Sequence, residues 1–208
     1  MPVNAESDPA PPDAEGPTAV DLAVLDAPVL GRGAVTVFLL HVAAAGAFDP
    51  VWSDQIHTDW TRDALRLHPD IPAERFRQRR HALDQAFPVA NILASRDVLD
   101  EVLVHCATPA ERKSAHVLAT AVAARAAVIV TDGAFCLKGV ITKLWHDMAV
   151  HTADAWCVSL LSRHEAAMLT ACRAHRAHQG TDIEAWLAAL TVILPGMAAG
   201  VVPMRERL

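Results

Sequence analysis

The sequence predicts an α/β protein on a short parallel sheet, extended at its C-terminus by helices. Three observations predict it. Residues 111–133 (ERKSAHVLATAVAARAAVIVTDG) read as a helix feeding a buried strand, residues 19–25 form a second apolar strand ending on Asp26, and capped helical pattern fills the chain beyond residue 152. At the head of the central helix Thr108 accepts from an orphan amide, Glu111 reaches back three residues, and Pro109 suits the first helical position. Val117, Leu118, Ala121, Val122 and Arg125 recur at helical spacing, and 127–130 is a short β-branched run of the kind covered on both faces. Ligands in such sheets sit beyond the carboxyl ends of the strands, which here carry Asp26 on one strand and Thr131, Asp132 and Gly133 on the other.

The remaining elements come in order along the chain. Residues 1–19 combine prolines, acids and small side chains and predict a disordered tail. After the first strand comes a helix over 34–45, then one capped by Ser53 that runs to about residue 67, with Ile56, Trp60, Ala64 and Leu67 on one stripe. Pro69 and Pro72 punctuate before a helix over 73–86. A short strand fits 89–93, whereas 98–104 suits a helical turn or a strand equally, since periodicity does not decide so short a run. A last short strand is expected over 148–151. Beyond it Ser162 with Glu165, and Thr181 with Glu184, have capping-box spacing, and Gly180 suits the end of a helix. The chain thus divides into a tail (1–19), a sheet domain (20–151) and a helical extension (152–208).

Composition sets limits on function. With 208 residues, 52% of them hydrophobic, the chain can bury a sizeable core, which excludes disorder for most of it. The formal charge of -6 argues little against a polyanionic partner, because the tail holds Glu6, Asp8, Asp13 and Glu15 and no base; without it, 20 acids face 18 bases. Cys106, Cys136, Cys157 and Cys172 form no C-x-x-C pair and fit reduced thiols in a cytoplasm. The acidic N-terminus has no apolar leader, and the apolar tract over 34–48 is broken by His41 and Gly46, short of a membrane span. A soluble, cytoplasmic protein without a membrane partner is expected.

An acid after the first strand, an acid inside WSDQIHTDW, the stretch SAHVLATAVAARAAVIVTDG and a helical C-terminus together resemble PIN-domain proteins, and more narrowly the VapC-type toxin group with a C-terminal helical domain. The resemblance covers roughly residues 20–200. It implies a three-layer α/β/α sandwich on a short parallel sheet, and an Mg²⁺- (or Mn²⁺-) dependent endoribonuclease of a type II toxin-antitoxin system, acting on RNA and neutralised by an antitoxin protein. Position by position, the family's first acid falls on Asp26, in Asp26-Ala27-Pro28 where the family has asparagine at the third place. The second falls on Asp59, the third on Ser114 and the fourth on Gly133. Two of four carboxylates are therefore missing, and the resemblance implies a degenerate site in which Asp26, Asp59 and a substitute such as Asp132 hold the metal, with Ser114 offering a neutral oxygen. The family also favours glycine between the central helix and strand, where Arg125 or Ala126 stands, so either the turn changes or a non-glycine residue accepts strain of ~1 kcal/mol.

The chemistry explains why the count matters. Mg²⁺ takes a near-octahedral shell of oxygens, so a site needs several converging carboxylates, and the bound ion polarises a phosphate and acidifies the attacking water. Asp132 is displaced by one residue from the family position, and strand alternation points it to the other face unless the backbone turns. Glu111 lies one turn before Ser114, but closing the capping box is its better use. A binding protein that holds an antitoxin-like helix, a second copy of itself or RNA without cleavage is the competing function.

Other groupings carry bland alternatives. Arg75, Arg77, Arg79 and Arg80, with Arg62 and Arg66, read as a solvated helix surface or as an RNA-binding patch, for which Arg75, Arg79 and Arg80 are the candidates. His175 and His178 stand three apart without a third ligand nearby and fit a surface pair, while His116 fits a boundary histidine beside the site. Trp52, Trp60, Trp145, Trp156 and Trp186 fit core packing better than base stacking. Ser114 and His116 are two apart on a helix and make no hydrolase pair, and no phosphate-cradling glycine loop is present.

Overall fold

A computed structural model describes residues 20–133 and 135–208, so the tail expected over 1–19 lies outside the described residues. Strand β1 (Leu22–Leu25) passes at once into a single helical turn, α1 (Ala27–Leu30), and then α2 (Gly33–Ala44). Strand β2 (Asp49–Val51) leads to α3 (Asp54–Leu67), α4 (Ala73–Ala86), α5 (Arg96–Val104) and α6 (Pro109–Ala124). β3 (Val128–Val130), α7 (Lys138–Leu144) and β4 (Ala149–His151) come next. The chain closes with α8 (Ala153–Arg163), α9 (Glu165–Gln179), α10 (Ile183–Ile193), α11 (Pro195–Val201) and a 3-10 turn (Val202–Arg207). Helices dominate, and the expected α/β class with a small parallel sheet is observed.

Among the described residues the sheet has the order β2-β1-β3-β4, every pair parallel, with Ala23 opposite Pro50, Val24 opposite Ile129 and Ile129 opposite Val150. The chain moves from β1 outward to β2 and returns to the other side of β1 with β3. Strand order therefore reverses between β1 and β3, and the crevice at their carboxyl ends is the place such a sheet offers a ligand. With the right-handed crossovers usual between parallel strands, α2, between β1 and β2, and α6, between β2 and β3, fall on opposite sides of the sheet. The packing agrees, since α2 lies on α9 while α6 lies on α5 and on β1 to β3. One continuous core joins the sheet to the C-terminal helices, with Trp52, Trp60, Trp156 and Trp186 as its largest buried side chains and Trp145 at its edge.

Local signals set most element boundaries. Ser53 accepts from Ile56 N, and Thr108 with Glu111 forms the full capping box of α6, whose Glu111 Oε2 takes the amides of Ala107 (2.7 Å) and Thr108 (2.8 Å). Those backbone bonds hold the Glu111 carboxyl below its ordinary value and leave it no role in a metal site. Arg125 ends α6 at φ 55, so a non-glycine residue does occupy the left-handed position that favours glycine. The undecided stretch over 98–104 is helical, capped by Ser95.

Three local expectations are corrected. Around 89–93 only a single bridge forms, Trp52 to Asn91, where Trp52 N donates to Ala90 O and Ile92 N to Trp52 O. Ser162 caps nothing, because α8 continues through it and its hydroxyl donates back to Ser159 O at 2.8 Å. Asp182, not Thr181, caps α10 by accepting from Ala185 N at 2.8 Å, which leaves Glu184 to pair with Arg205. In both cases a neighbour's hydrogen bond outcompetes the expected one.

Burial also revises the histidine reading. His175 is 5% exposed, its Nδ1 accepting from Trp186 Nε1 at 3.0 Å while Phe38 and His41 of α2 pack against its ring. It is a core residue at the α2–α9 contact, not half of a surface pair. The apolar tract over 34–48 comprises most of α2 and the turn that leads into β2, and no helix among the described residues is long and apolar enough to cross a membrane. Cys106, Cys157 and Cys172 are buried free thiols, and Cys136 is exposed.

Candidate functional site

Asp26 is placed by two local facts. It is the first residue past β1, with its N–H still in the ladder to Val130 O at 3.0 Å, and it caps α1 with Oδ1 accepting from Ala27 N at 2.7 Å. Its other oxygen accepts from Thr131 Oγ1 at 2.7 Å, and that hydroxyl in turn accepts from Gly133 N at 3.3 Å. The ends of β1 and β3 are thus bound to each other at the crevice. Burial raises the Asp26 carboxyl above its ordinary value, opposed by the Thr131 hydroxyl, the Ala27 amide and the charge of His116, and reinforced by the charge of Asp59.

Asp59 therefore lies close enough to act on Asp26, although 33 positions separate them in the chain. It stands on the second turn of α3, with a carboxylate only 14% exposed. Helical spacing supplies two partners on its own helix: Arg62 Nη1 at 2.9 Å and Gln55 Nε2 at 3.2 Å, both on Oδ1. A third comes from α6, where His116 Nε2 lies 3.1 Å from Oδ2. This last contact is an ion pair by distance and not an aligned hydrogen bond, so Nε2, shielded from solvent, has no other polar partner among the described residues.

The remaining expected site residues divide. Ser114 is half-buried on α6, and among the described residues no hydrogen bond joins it to Asp26 or Asp59. Two residues from His116, it lies well round the helix from the side that meets Asp59. Asp132 does not join the aspartates: Oδ1 accepts from Ala153 N at 2.9 Å at the start of α8, and Oδ2 pairs with Arg32. Strand alternation has turned it toward the C-terminal helices. Gly133 has no room for a side chain, since a Cβ there would stand 2.9 Å from the Pro28 ring. Among the described residues no three His, Cys, Asp or Glu side chains are grouped to hold a metal as they stand. Two carboxylates, one already facing Arg62 and His116, do not fit the oxygen shell of Mg²⁺.

The three candidate RNA-binding arginines also part company. Arg79 turns inward, its Nη2 donating to Leu30 O and to Thr36 Oγ1 (3.0 Å), with the guanidinium 5.1 Å from the Trp60 ring centre. Arg80 pairs with Asp54 at 2.6 Å and lies 3.8 Å from Asp84. Of the three, Arg75 alone is exposed and without an ion pair among the described residues. The residues that sequence reasoning underweighted are Gln55, Arg62 and His116. The first two were readable from spacing around Asp59; the third depends on how α6 packs on α3. Beside His116 a groove of about 690 Å³ opens between the start of α3, the 91–94 segment, α5 and α6, walled by Ile92, Leu93, Leu99 and Leu103 with Arg112 at its polar side.

Asp26→Asn is expected to raise the melting temperature at pH 7. The sign comes from burial: a raised folded pKa means the charged form is penalised at neutral pH and the penalty vanishes as pH falls toward 3.8. Thermal melts from pH 7 to pH 4 measure it, and a gain that persists undiminished at low pH would contradict this account.

Fold and site together define an α/β protein whose polar groups gather around two aspartates at the carboxyl edge of a parallel sheet. Comparison of the chain with protein-family models, curated proteins and solved structures gives no match to any of them.

Proposed function

We propose that this chain is a PIN-like protein related to the VapC-type endoribonuclease toxins, with a three-layer α/β/α sandwich and a metal site that has degenerated, and that it acts by holding RNA or an antitoxin-like protein more than by cutting. The observation that carries the relationship is that Asp26, at the strand-order reversal, and Asp59 lie near enough for their charges to interact, as the resemblance expects of its first two acids. The observation that favours holding over cutting is the state of Asp59, whose oxygens already face Arg62, Gln55 and His116. The apolar groove beside His116, with Arg112 on its polar side, suits an amphipathic segment carrying an acid, as an antitoxin would present.

The test pairs a cleavage assay on structured and single-stranded RNA, with Mg²⁺ or Mn²⁺, with RNA binding followed by fluorescence anisotropy. The expected result is binding that falls steeply with salt and no metal-dependent cutting above that of Asp26→Asn. Metal-dependent cutting that Asp26→Asn abolishes would return the protein to the active nucleases. Neither cutting nor RNA binding would leave the protein partner as the function, to be sought in the product of a neighbouring reading frame.

A further inference from the structure

We infer that protein side chains have taken the place of the divalent ion: His116 and Arg62 clasp Asp59, and the Pro28 ring fills the space a fourth acid would need. The inference rests on the PIN-like reading for where that ion would sit, and on the geometry of this chain for everything else.

His116 is the one partner of Asp59 among the described residues that comes from another helix, so the contact ties α3 to α6 across the crevice. Both ring nitrogens face acceptors, Nδ1 the Lys113 carbonyl at 3.0 Å and Nε2 the Asp59 carboxylate at 3.1 Å. The Arg62 guanidinium, 2.9 Å from Asp59 Oδ1, has no lone pair to give a metal. Both Asp59 oxygens are thus engaged, Oδ1 by Arg62 and Oδ2 by His116, which leaves little free negative oxygen to draw in a hard divalent ion.

Two departures from the family pattern look independent in the sequence. Proline stands at position 28 where the resemblance expects asparagine, and glycine at 133 where it expects an acid. In space they are one event, because a Cβ at 133 would meet Pro28 Cγ at 2.9 Å. A proline ring cannot swing aside as an asparagine can. Restoring the acid at 133 therefore requires changing residue 28 as well.

The test uses the full chain. Mg²⁺ and Mn²⁺ are titrated into wild type, His116→Ala, the double variant Ser114→Asp/Gly133→Asp and the triple variant that adds Pro28→Asn, with heat of binding and melting temperature as readouts. Wild type is expected to show no binding isotherm at millimolar metal and the same melting temperature in EDTA as in either metal. His116→Ala should melt lower and bind metal no more weakly. The triple variant should gain Mn²⁺ affinity by an order of magnitude or more over the double variant, in which the ring still blocks residue 133. Micromolar metal binding by wild type that His116→Ala abolishes would make His116 a ligand and overturn the clasp. A triple variant that folds and takes up no metal would instead overturn the placement of the missing acids, and with it the PIN-like reading. Should the triple variant fail to fold, the wild-type and His116→Ala titrations decide the clasp unaided.

Discussion

Replacing Arg79 with alanine is expected to cost about 3 kcal/mol of folding stability, the combined worth of a charged hydrogen bond to a buried carbonyl and a cation–π contact. The side chain leaves α4 to donate to Leu30 O and Thr36 Oγ1 and stacks over Trp60 of α3. Its removal leaves the Leu30 carbonyl without the donor that reaches it from α4 and opens a space beside a tryptophan that is 1% exposed. Leu30 ends the turn that Asp26 caps, so Arg79 supports the crevice from beneath. The expected fall in melting temperature is roughly 6–12 °C, taking 2–4 °C per kcal/mol for this chain length. Urea unfolding gives the free energy directly. An RNA-contacting arginine would behave otherwise: its loss would spare stability and lower the slope of log K against log salt by about 0.7, the value for one phosphate on a single strand. Arg75→Ala, at an exposed position on the same helix, is the control for stability.

Acid should destabilise the protein through His175, and by a comparable amount. Burial, with the charges of His41 and His178 beside it, lowers the His175 pKa to about 4 from an ordinary 6.5. Between those values the unfolded chain takes up a proton that the folded form refuses, so the contribution is present above pH 6.5 and is lost as pH falls toward 4. The loss amounts to about 3 kcal/mol. His57 and His41, both lowered chiefly by burial, act in the same sense and steepen the acid limb. His175→Gln keeps an oxygen for Trp186 Nε1 and cannot charge, so its melting temperature should fall less between pH 6.5 and pH 4 than that of wild type. Equal slopes would show that the acid limb belongs to other groups. The groups facing His175 are His41 from α2, His178 and Gln179 on its own helix and Trp186 from α10, none of which is an acid that could compensate the new charge.

His57 shows how a single buried histidine organises the other side of the molecule. Its Nδ1 accepts from Trp60 Nε1 at 2.8 Å and its Nε2 faces Asp84 Oδ1 at 3.2 Å, which also receives Trp52 Nε1 at 2.9 Å. The chain satisfies two buried indoles and joins the end of β2 to α3 and α4. The tryptophans were legible as core from their place in apolar helical stripes; the histidine and aspartate that make their burial tolerable were not. A hydrogen-bond partner drawn from a helix 27 positions away leaves no trace in local spacing.

What the sequence determined by itself was local. Ser53, Thr108 with Glu111, and Gly180 mark helix ends because a capping bond spans three or four residues, and Asp26 falls at a strand's carboxyl end because strand and turn are contiguous. The same locality makes the Arg62 and Gln55 contacts of Asp59 readable from helical spacing. Tertiary structure decided the rest: that Asp132 faces α8, that Arg79 is buried while Arg75 is not, that His175 lies under α2, and that His116 reaches Asp59. Each of these depends on which face of a helix or strand meets a segment distant in the chain. Periodicity gives the faces, but the crossovers and the packing of the core choose what each face meets.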